Sequence, residues 1–415
     1  MTANKTLGDL LATLFRRRAF GRKTNDGREI REICLDFLSE TAETSEQQLA
    51  ATILNRYRAF DADQRADFFA FLNDELDLDT AGIEALAVNY GADPSPENYK
   101  ALAKACEPRR QGLFRRLNET PGATTEIVKL RKDLLALLNE RPELARTDHD
   151  LLHLLRSWFN RGFLVIRQIN WESPASILEK IIAYEAVHEI GTWDDLRRRL
   201  QPTDRRCFAF FHPAMPDEPL IFVEVALTRG IPGSIQSVLS EEREAIGEDE
   251  ADTAVFYSIS NCQKGLAGVS FGNSLIKQVA RDLSHELPNV TTFVTLSPIP
   301  GLVRWIRNEG IAGESDDPQH MERLAAKYLL EAKAPDGFPL DPVARFHLGN
   351  GATVHAIRSG GDLSETGIAK SSGVMVNYLY DLSRITRNTT RYSSKRKVTA
   401  ASSVKNLARR AAAAS

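Results

Sequence analysis

An all-helical first third followed by a mixed α/β remainder is the fold class that this sequence predicts. Three observations lead there. Up to about residue 158 the apolar residues recur at helical spacing, as in Ile53-Leu54-Tyr57-Phe60 and Leu130-Leu134-Leu135-Leu138. From Trp158 onward, runs rich in β-branched and aromatic residues alternate with amphipathic stretches. With 415 residues, 42% apolar and 26% charged, the chain is long enough for two packed cores. Two domains are therefore expected, a helical bundle over 1–158 and an α+β domain over 159–415.

Each element has its own signal. Leu7, Leu10, Leu11, Leu14 and Phe15 have helical spacing ahead of Arg16, Arg17 and Arg18. A secretory signal puts positive charge before its apolar stretch, and Asp9 interrupts what a mitochondrial presequence keeps poor in acid, so an amphipathic first helix is expected. Breakers at Gly91-Ala-Asp-Pro-Ser-Pro and Glu119-Thr-Pro-Gly separate helices joined by short connections. Gly162-Phe-Leu-Val-Ile-Arg-Gln-Ile-Asn-Trp171 reads as a strand. Ser173-Pro174 then opens a helix from Ala175 to about Val187, serine serving as cap and proline fitting the first turn. Further strands are expected at Cys207–His212, Leu220–Leu227, Ala254–Ser260, Val290–Leu296, Thr353–Ile357 and Val374–Tyr378. Helices are expected at Asn273–Glu286, Val303–Arg307 and Met321–Ala332. No acidic residue follows Asp381, and nine basic ones lie between Arg384 and Arg410, so a solvated, partly frayed basic tail is expected from about residue 384.

Composition narrows the function classes. Lys plus Arg number 53 and Asp plus Glu 56, a net charge of -3, which argues against a bulk nucleic-acid binder. No apolar run reaches the roughly 18 residues of a membrane span. The four cysteines, Cys34, Cys106, Cys207 and Cys262, are far apart, without disulfide-framework or zinc spacing, and suit a reducing, cytoplasmic compartment. His149 and His153 share a helix face but have no third ligand nearby, so no metal site is expected.

Three stretches carry chemistry. A buried strand, Ala254 to Ser260, runs into Asn261-Cys-Gln-Lys-Gly265-Leu-Ala-Gly268-Val-Ser-Phe-Gly272 and then an amphipathic helix. Strand, glycine loop and helix suit an anion, because glycine lets the backbone approach and the first helical N–H groups point at the ligand. The spacing is neither that of a Walker A loop nor that of a dinucleotide fingerprint, and a purely structural turn is the alternative. Ser297 stands at a strand end, before Pro298-Ile-Pro300-Gly301, where open α/β sheets bind ligands, or else makes a local turn bond. His347, beside Phe346 and ahead of Gly349-Asn-Gly351, is a candidate general acid or base, with a satisfied structural histidine as the alternative.

Taken together these words resemble the malonyl-CoA decarboxylase family. The resemblance rests on Phe256-Tyr-Ser-Ile-Ser260, Gly265-Leu-Ala-Gly268-Val, Leu296-Ser-Pro-Ile-Pro-Gly301 and Asp341-Pro-Val-Ala-Arg-Phe-His347-Leu-Gly-Asn-Gly, in which Asp341 replaces the family's Asn. Trp158-Phe, Gly162-Phe-Leu, Arg205-Arg-Cys207, Glu218-Pro-Leu220 and Asn377-Tyr-Leu-Tyr380 match as well. Residues 155 to 395 are covered strongly, the first third in character only.

The resemblance implies a helical oligomerisation domain, a homo-oligomer (dimer or tetramer), and a catalytic domain like the GNAT-type N-acetyltransferases. It implies conversion of malonyl-CoA to acetyl-CoA and CO2 through a thioester enolate, with no cofactor. Ser297 and His347 match the catalytic pair, His347 donating the proton to the nascent carbanion. Ala267, Gly268, Val269, Ser270, Phe271, Gly272 and Asn273 should line the acyl-CoA site, and Tyr380 matches an active-site tyrosine. Some relatives carry a glutamate where this chain has Ser270. Lys264 and Lys277 are candidates from charge alone for the adenine and 3′-phosphate. An acyl-CoA-dependent N-acetyltransferase and a non-catalytic CoA-binding scaffold are the competing readings.

Overall fold

The computed structural model describes residues 26–39, 46–269, 271–311 and 317–413. The expected helix at Leu7–Phe15 and Ser270 lie outside them. The chain forms two compact units. One comprises 1–165 with the short segments 212–218 and 263–269, and the other comprises 166–211, 219–262 and 270–415. No helix among the described residues is long and apolar enough to cross a membrane.

The first unit is helical: α1 (Ile30–Leu38), α2 (Glu46–Ala59), α3 (Ala62–Asp74), α4 (Thr80–Ala92), α5 (Pro96–Ala105), α6 (Arg109–Asn118), α7 (Ala123–Leu137) and α8 (Ala145–Trp158). Local signals set the starts. Asp61 caps α3 in a reciprocal box with Gln64, and Ser95 caps α5 with Pro96 at its first position. The core joins Ile33, Phe37, Ile53, Phe69, Leu72, Leu113, Phe114, Ile127, Leu130, Leu134 and Leu151, drawn from α1–α3 and α6–α8. Arg110 is buried among these helices and paired to Asp150 at 2.5 Å and Asp77 at 2.9 Å, which satisfies a charge that would otherwise be costly to bury. By contrast, no side chain of α4 or α5 is buried.

The second unit is built on one sheet: β1 (Val165–Ile169), β2 (Arg205–Phe211), β3 (Ile221–Thr228), β4 (Thr253–Asn261), β5 (Thr292–Thr295), β6 (Ser297–Pro298), β7 (Thr353–Arg358) and β8 (Met375–Leu379). The order is β1-β2-β3-β4-β5-β8-β6, with β7 also paired to β8. β2, β3 and β4 are antiparallel, whereas β4 and β5 are parallel. The parallel pairing runs from Thr253↔Thr292 to Phe256↔Thr295, and β4 continues to Asn261 beyond it. At the same point β4 carries a bulge. Val225 faces Phe256 and Glu224 faces Ser258, which leaves Tyr257 as the extra residue.

Helices cover both faces. On one, α9 (Ala175–Tyr184), α10 (Trp193–Leu200) and α11 (Ile235–Leu239) pack on Cys207, Ala209, Phe211, Phe222, Ala226, Val255, Tyr257 and Val294. That face also holds a polar network. Arg199 meets the wholly buried Glu224 at 3.1 Å, and Glu185 accepts the hydroxyls of Ser258 (2.7 Å) and Ser260 (3.3 Å). Burial pushes the Glu224 carboxyl up to about 7 and the His188 imidazole down to about 4. Alternation along the strands sends Phe256, Thr295, Ser297, Tyr378 and Tyr380 to the opposite face.

The remaining helices are α12 (Gly272–Glu286), α13 (Leu302–Asn308), α14 (Pro318–Glu331), α15 (Pro342–Gly349), α16 (Glu365–Ser371), α17 (Ile385–Lys395) and α18 (Ser402–Ala413). The last two correct the expected frayed tail. Ile385, Asn388 and Tyr392 are buried along α17, and Val404, Ala408 and Ala411 along α18, while the bases occupy the other faces. Ala400 between them bridges to Val354 of β7. The charge run is the outer side of two amphipathic helices.

Candidate active site

Ser297, His347 and Tyr380, distant along the chain, meet in one buried cluster. Ser297 is placed by β6, whose pairing with Val376 of β8 begins directly after the β5 strand. His347 lies in the last turn of α15, directly ahead of the Gly349-Asn-Gly351 turn. Asp341 caps that helix, its Oδ1 accepting the Ala344 N–H at 2.8 Å, and Pro342 fills the first helical position. Gly351 closes the turn at φ +85°, where a Cβ would press on the Ile385 carbonyl.

The imidazole is bonded on both nitrogens: Nε2 to Ser297 Oγ at 3.2 Å and Nδ1 to Tyr380 Oη at 2.8 Å. Ser297 Oγ donates in turn to Thr295 Oγ1 at 2.8 Å, and Thr295 Oγ1 accepts the Tyr378 N–H at 3.2 Å. One assignment satisfies the whole chain. Tyr380 O–H donates to Nδ1, Nε2–H donates to Ser297 Oγ, and Ser297 O–H donates to Thr295 Oγ1. The ring of His347 stacks on Tyr378, with centroids 4.4 Å apart and planes 21° off parallel, and the Tyr380 ring meets Phe256 edge-on at 6.4 Å. Asn377, from the other side of β8, donates to the Thr295 carbonyl at 2.9 Å and accepts from Arg358 at 2.8 Å. Rotation of the imidazole would break two bonds and a stacking contact, so its orientation is set in advance of any ligand.

Burial decides the protonation state. His347 and Ser297 are 2% and 5% exposed, and no carboxylate bonds the imidazole. Desolvation alone pushes His347 down to about 3, so at neutral pH the ring is neutral, with one donor and one acceptor nitrogen. The same burial drives the Tyr380 phenol well above its ordinary value, so in the resting site it is protonated and serves as the donor to Nδ1.

The loop residues divide between the two units. Ala267, Gly268 and Val269 belong to the first; Phe271, Gly272 and Asn273 belong to the second. Ala267 and Gly268 are exposed, Val269 half-buried and Phe271 buried. α12 opens at Phe271 without a side-chain cap. Within the first unit Gly265 sits against α7, where a Cβ would fall 1.8 Å from the Val128 carbonyl oxygen, and Gly268 takes φ +83°. A side chain at Gly265 would displace α7, and one at Gly268 would have to adopt a left-handed backbone conformation that L residues rarely take. Thr295 and Tyr378 escape a reading of the sequence. A signal exists, since Thr295 stands two residues before Ser297 and Tyr378 two before Tyr380, the spacing that puts strand residues on one face.

Family models now place these features. A model of the malonyl-CoA decarboxylase N-terminal domain matches residues 76–159, and one of the C-terminal domain matches residues 162–321 and 314–415. The mitochondrial malonyl-CoA decarboxylase of Anser anser anser is 37% identical over 349 residues, covering 72% of this chain and 69% of that protein. That of Rattus norvegicus is 35% identical over 357 residues, covering 74% and 72%. The crystal structure of malonyl-CoA decarboxylase from Rhodopseudomonas palustris superposes with a TM-score of 0.86 at 46% identity, over 92% of this chain and 100% of that one. The Agrobacterium vitis structure gives the same score and identity, over 92% and 99%. Matches that run through both the helical region and the Ser297–His347–Tyr380 sheet leave one assignment: the chain belongs to the malonyl-CoA decarboxylase family.

Proposed function

We propose that the chain is a carboxy-lyase that converts malonyl-CoA into acetyl-CoA and CO2, with Ser297 and His347 as the proton-transferring pair. The observation that carries this reading is the buried hydrogen-bond chain Tyr380–His347–Ser297, with its neutral imidazole, in a member of this family.

The chemistry asks for two things. Breaking the bond between the carboxylate carbon and the α-carbon releases CO2 and leaves an electron pair that the thioester spreads onto its oxygen as an enolate. That oxygen needs N–H donors, and the backbone amides at the start of α12, in the same unit as Ser297 and His347, are our candidates; one such donor contributes about 10²–10³ in rate. The α-carbon then takes a proton. Because Nε2 of His347 is turned onto Ser297 Oγ, we assign the direct donation to Ser297 O–H in place of His347: Nε2–H passes its proton to Ser297 Oγ, and Nδ1 takes the phenol proton of Tyr380. The deficit ends on the Tyr380 oxygen and is made good by water as product leaves. A neutral pair suits decarboxylation, because an imidazolium beside the substrate would hold the departing carboxylate in place by its charge.

Incubation of purified protein with malonyl-CoA and no acceptor amine is the test. Acetyl-CoA and CO2 are expected in equal amounts. Ser297→Ala and His347→Asn should each lower kcat by about 10²–10⁴ with acetyl-CoA binding retained. Acyl transfer to an added amine without CO2 release, or near-normal turnover in either variant, overturns the reading.

A further inference from the structure

Arg131 of α7 is 2% exposed, yet it makes no use of its charge toward solvent. Its Nη1 donates to the carbonyls of Gly265 and Ala267, both at 2.8 Å, and its Nε donates to Asp148 of α8 at 2.8 Å. Arg156, also on α8, reaches the Gly268 carbonyl at 3.3 Å with Nε and Nη2. All of these residues belong to the first unit. Two helices of the bundle therefore hold three carbonyls of the segment 265–268.

The planar trans peptide converts this hold into a direction. In each peptide the N–H points opposite to its C=O. With the Ala267 carbonyl turned onto Arg131, the Gly268 N–H faces away from the guanidinium, and among the described residues it finds no acceptor. Gly268 is exposed and its φ of +83° fixes the following turn. The Asp148 carboxylate neutralises Arg131, so the effect of the guanidinium on an anion in front of the loop is geometric and not coulombic.

We infer that Arg131, backed by Asp148, is a positioning residue for ligand recognition: it presets the 267–268 peptide so that the Gly268 N–H meets a phosphate oxygen of the substrate's diphosphate. This rests on the reading of the loop as part of an acyl-CoA site.

The test compares two substrates, malonyl-CoA and malonyl-pantetheine, which carries the same thioester without the diphosphate. In Arg131→Met the KM for malonyl-CoA should rise by about 10- to 100-fold, as for other small misplacements of binding groups. The kcat, and all parameters for malonyl-pantetheine, should stay unchanged. Arg131→Lys retains the ion pair and the fold but has no planar fork to bridge two carbonyls, so it should show the same selective rise in smaller degree. Equal losses on both substrates, or none on either, overturn the proposal. A wild-type protein that decarboxylates both esters with equal KM removes the loop reading beneath it, an outcome distinct from the other two.

Discussion

Asp341→Asn converts the one departure in the word around His347 into the family's own residue, and the structure gives the size of its effect. Asp341 is fully buried; its Oδ1 caps α15 by accepting the Ala344 N–H, and the Tyr328 phenol and the Gly301 backbone also donate to its carboxyl group. Burial raises the carboxyl from its ordinary 3.8 to about 6. A carboxyl raised on folding is held more tightly protonated in the native state. Its contribution is therefore most favourable below about pH 4 and is lost as pH rises through 6. At 1.36 kcal/mol per tenfold, ionising it in place costs about 3 kcal/mol at neutral pH. Asparagine has the same shape, keeps the capping oxygen and carries no charge. Asp341→Asn should thus be more stabilising at pH 8 than at pH 4.5 by about 2 kcal/mol, a difference unaffected by the bond to Tyr328 that the amide loses at both. Urea unfolding followed by tryptophan fluorescence at the two pH values measures the difference. The cap survives, so kcat should not change. An equal effect at the two pH values would refute the argument that a desolvated charge sets the cost.

Two further outcomes follow from the same geometry. Tyr380→Phe removes the donor to Nδ1 and leaves a buried acceptor open, worth about 1–1.5 kcal/mol; kcat should fall about tenfold with KM unchanged, and the wild-type rate–pH profile should lack an imidazole inflection between pH 5 and 8, because His347 is already neutral there. An ionisation near 6.5 in that profile would count against the neutral ring. Gly265→Ala, whose Cβ falls 1.8 Å from the Val128 oxygen, should destabilise the protein by about 1–3 kcal/mol in thermal or chemical unfolding and raise the KM for malonyl-CoA.

Much of the α/β unit is legible in the sequence because its strands are apolar runs bounded by turn residues. The expected Ala254–Ser260 and Thr353–Ile357 are β4 and β7 to within a residue at either end, and Asn273–Glu286 is α12. Short helices are harder to read. α10, Trp193–Leu200, has one turn of acid and one of arginine, a surface pattern that hides the burial of Leu196, Arg199 and Leu200. α15 is masked by Pro342 at its start and the glycines at its end, which are breakers in isolation and boundary signals when read together. The last two helices are hidden by their charge, since nine bases obscure the i, i+4 spacing of Asn388 and Tyr392. In the site, Ser297 and His347 are readable as residue types in the right words. The partners that orient them, Thr295 and Tyr378, are ordinary strand residues until the sheet folds.

The surplus residue in β4 has a consequence for how such a chain is able to change. Without Tyr257 as a bulge, the strand would keep one side-chain parity along its whole length, and the hydroxyls of Ser258 and Ser260 would turn from Glu185 toward the side of the sheet that carries His347. No point substitution produces that inversion. Loss of the Tyr257 codon does not produce it either, since Phe256 opposite Val225 and Ser258 opposite Glu224 would become ordinary neighbours on opposite faces; the surplus residue is the one this strand can lose while its serines keep facing Glu185.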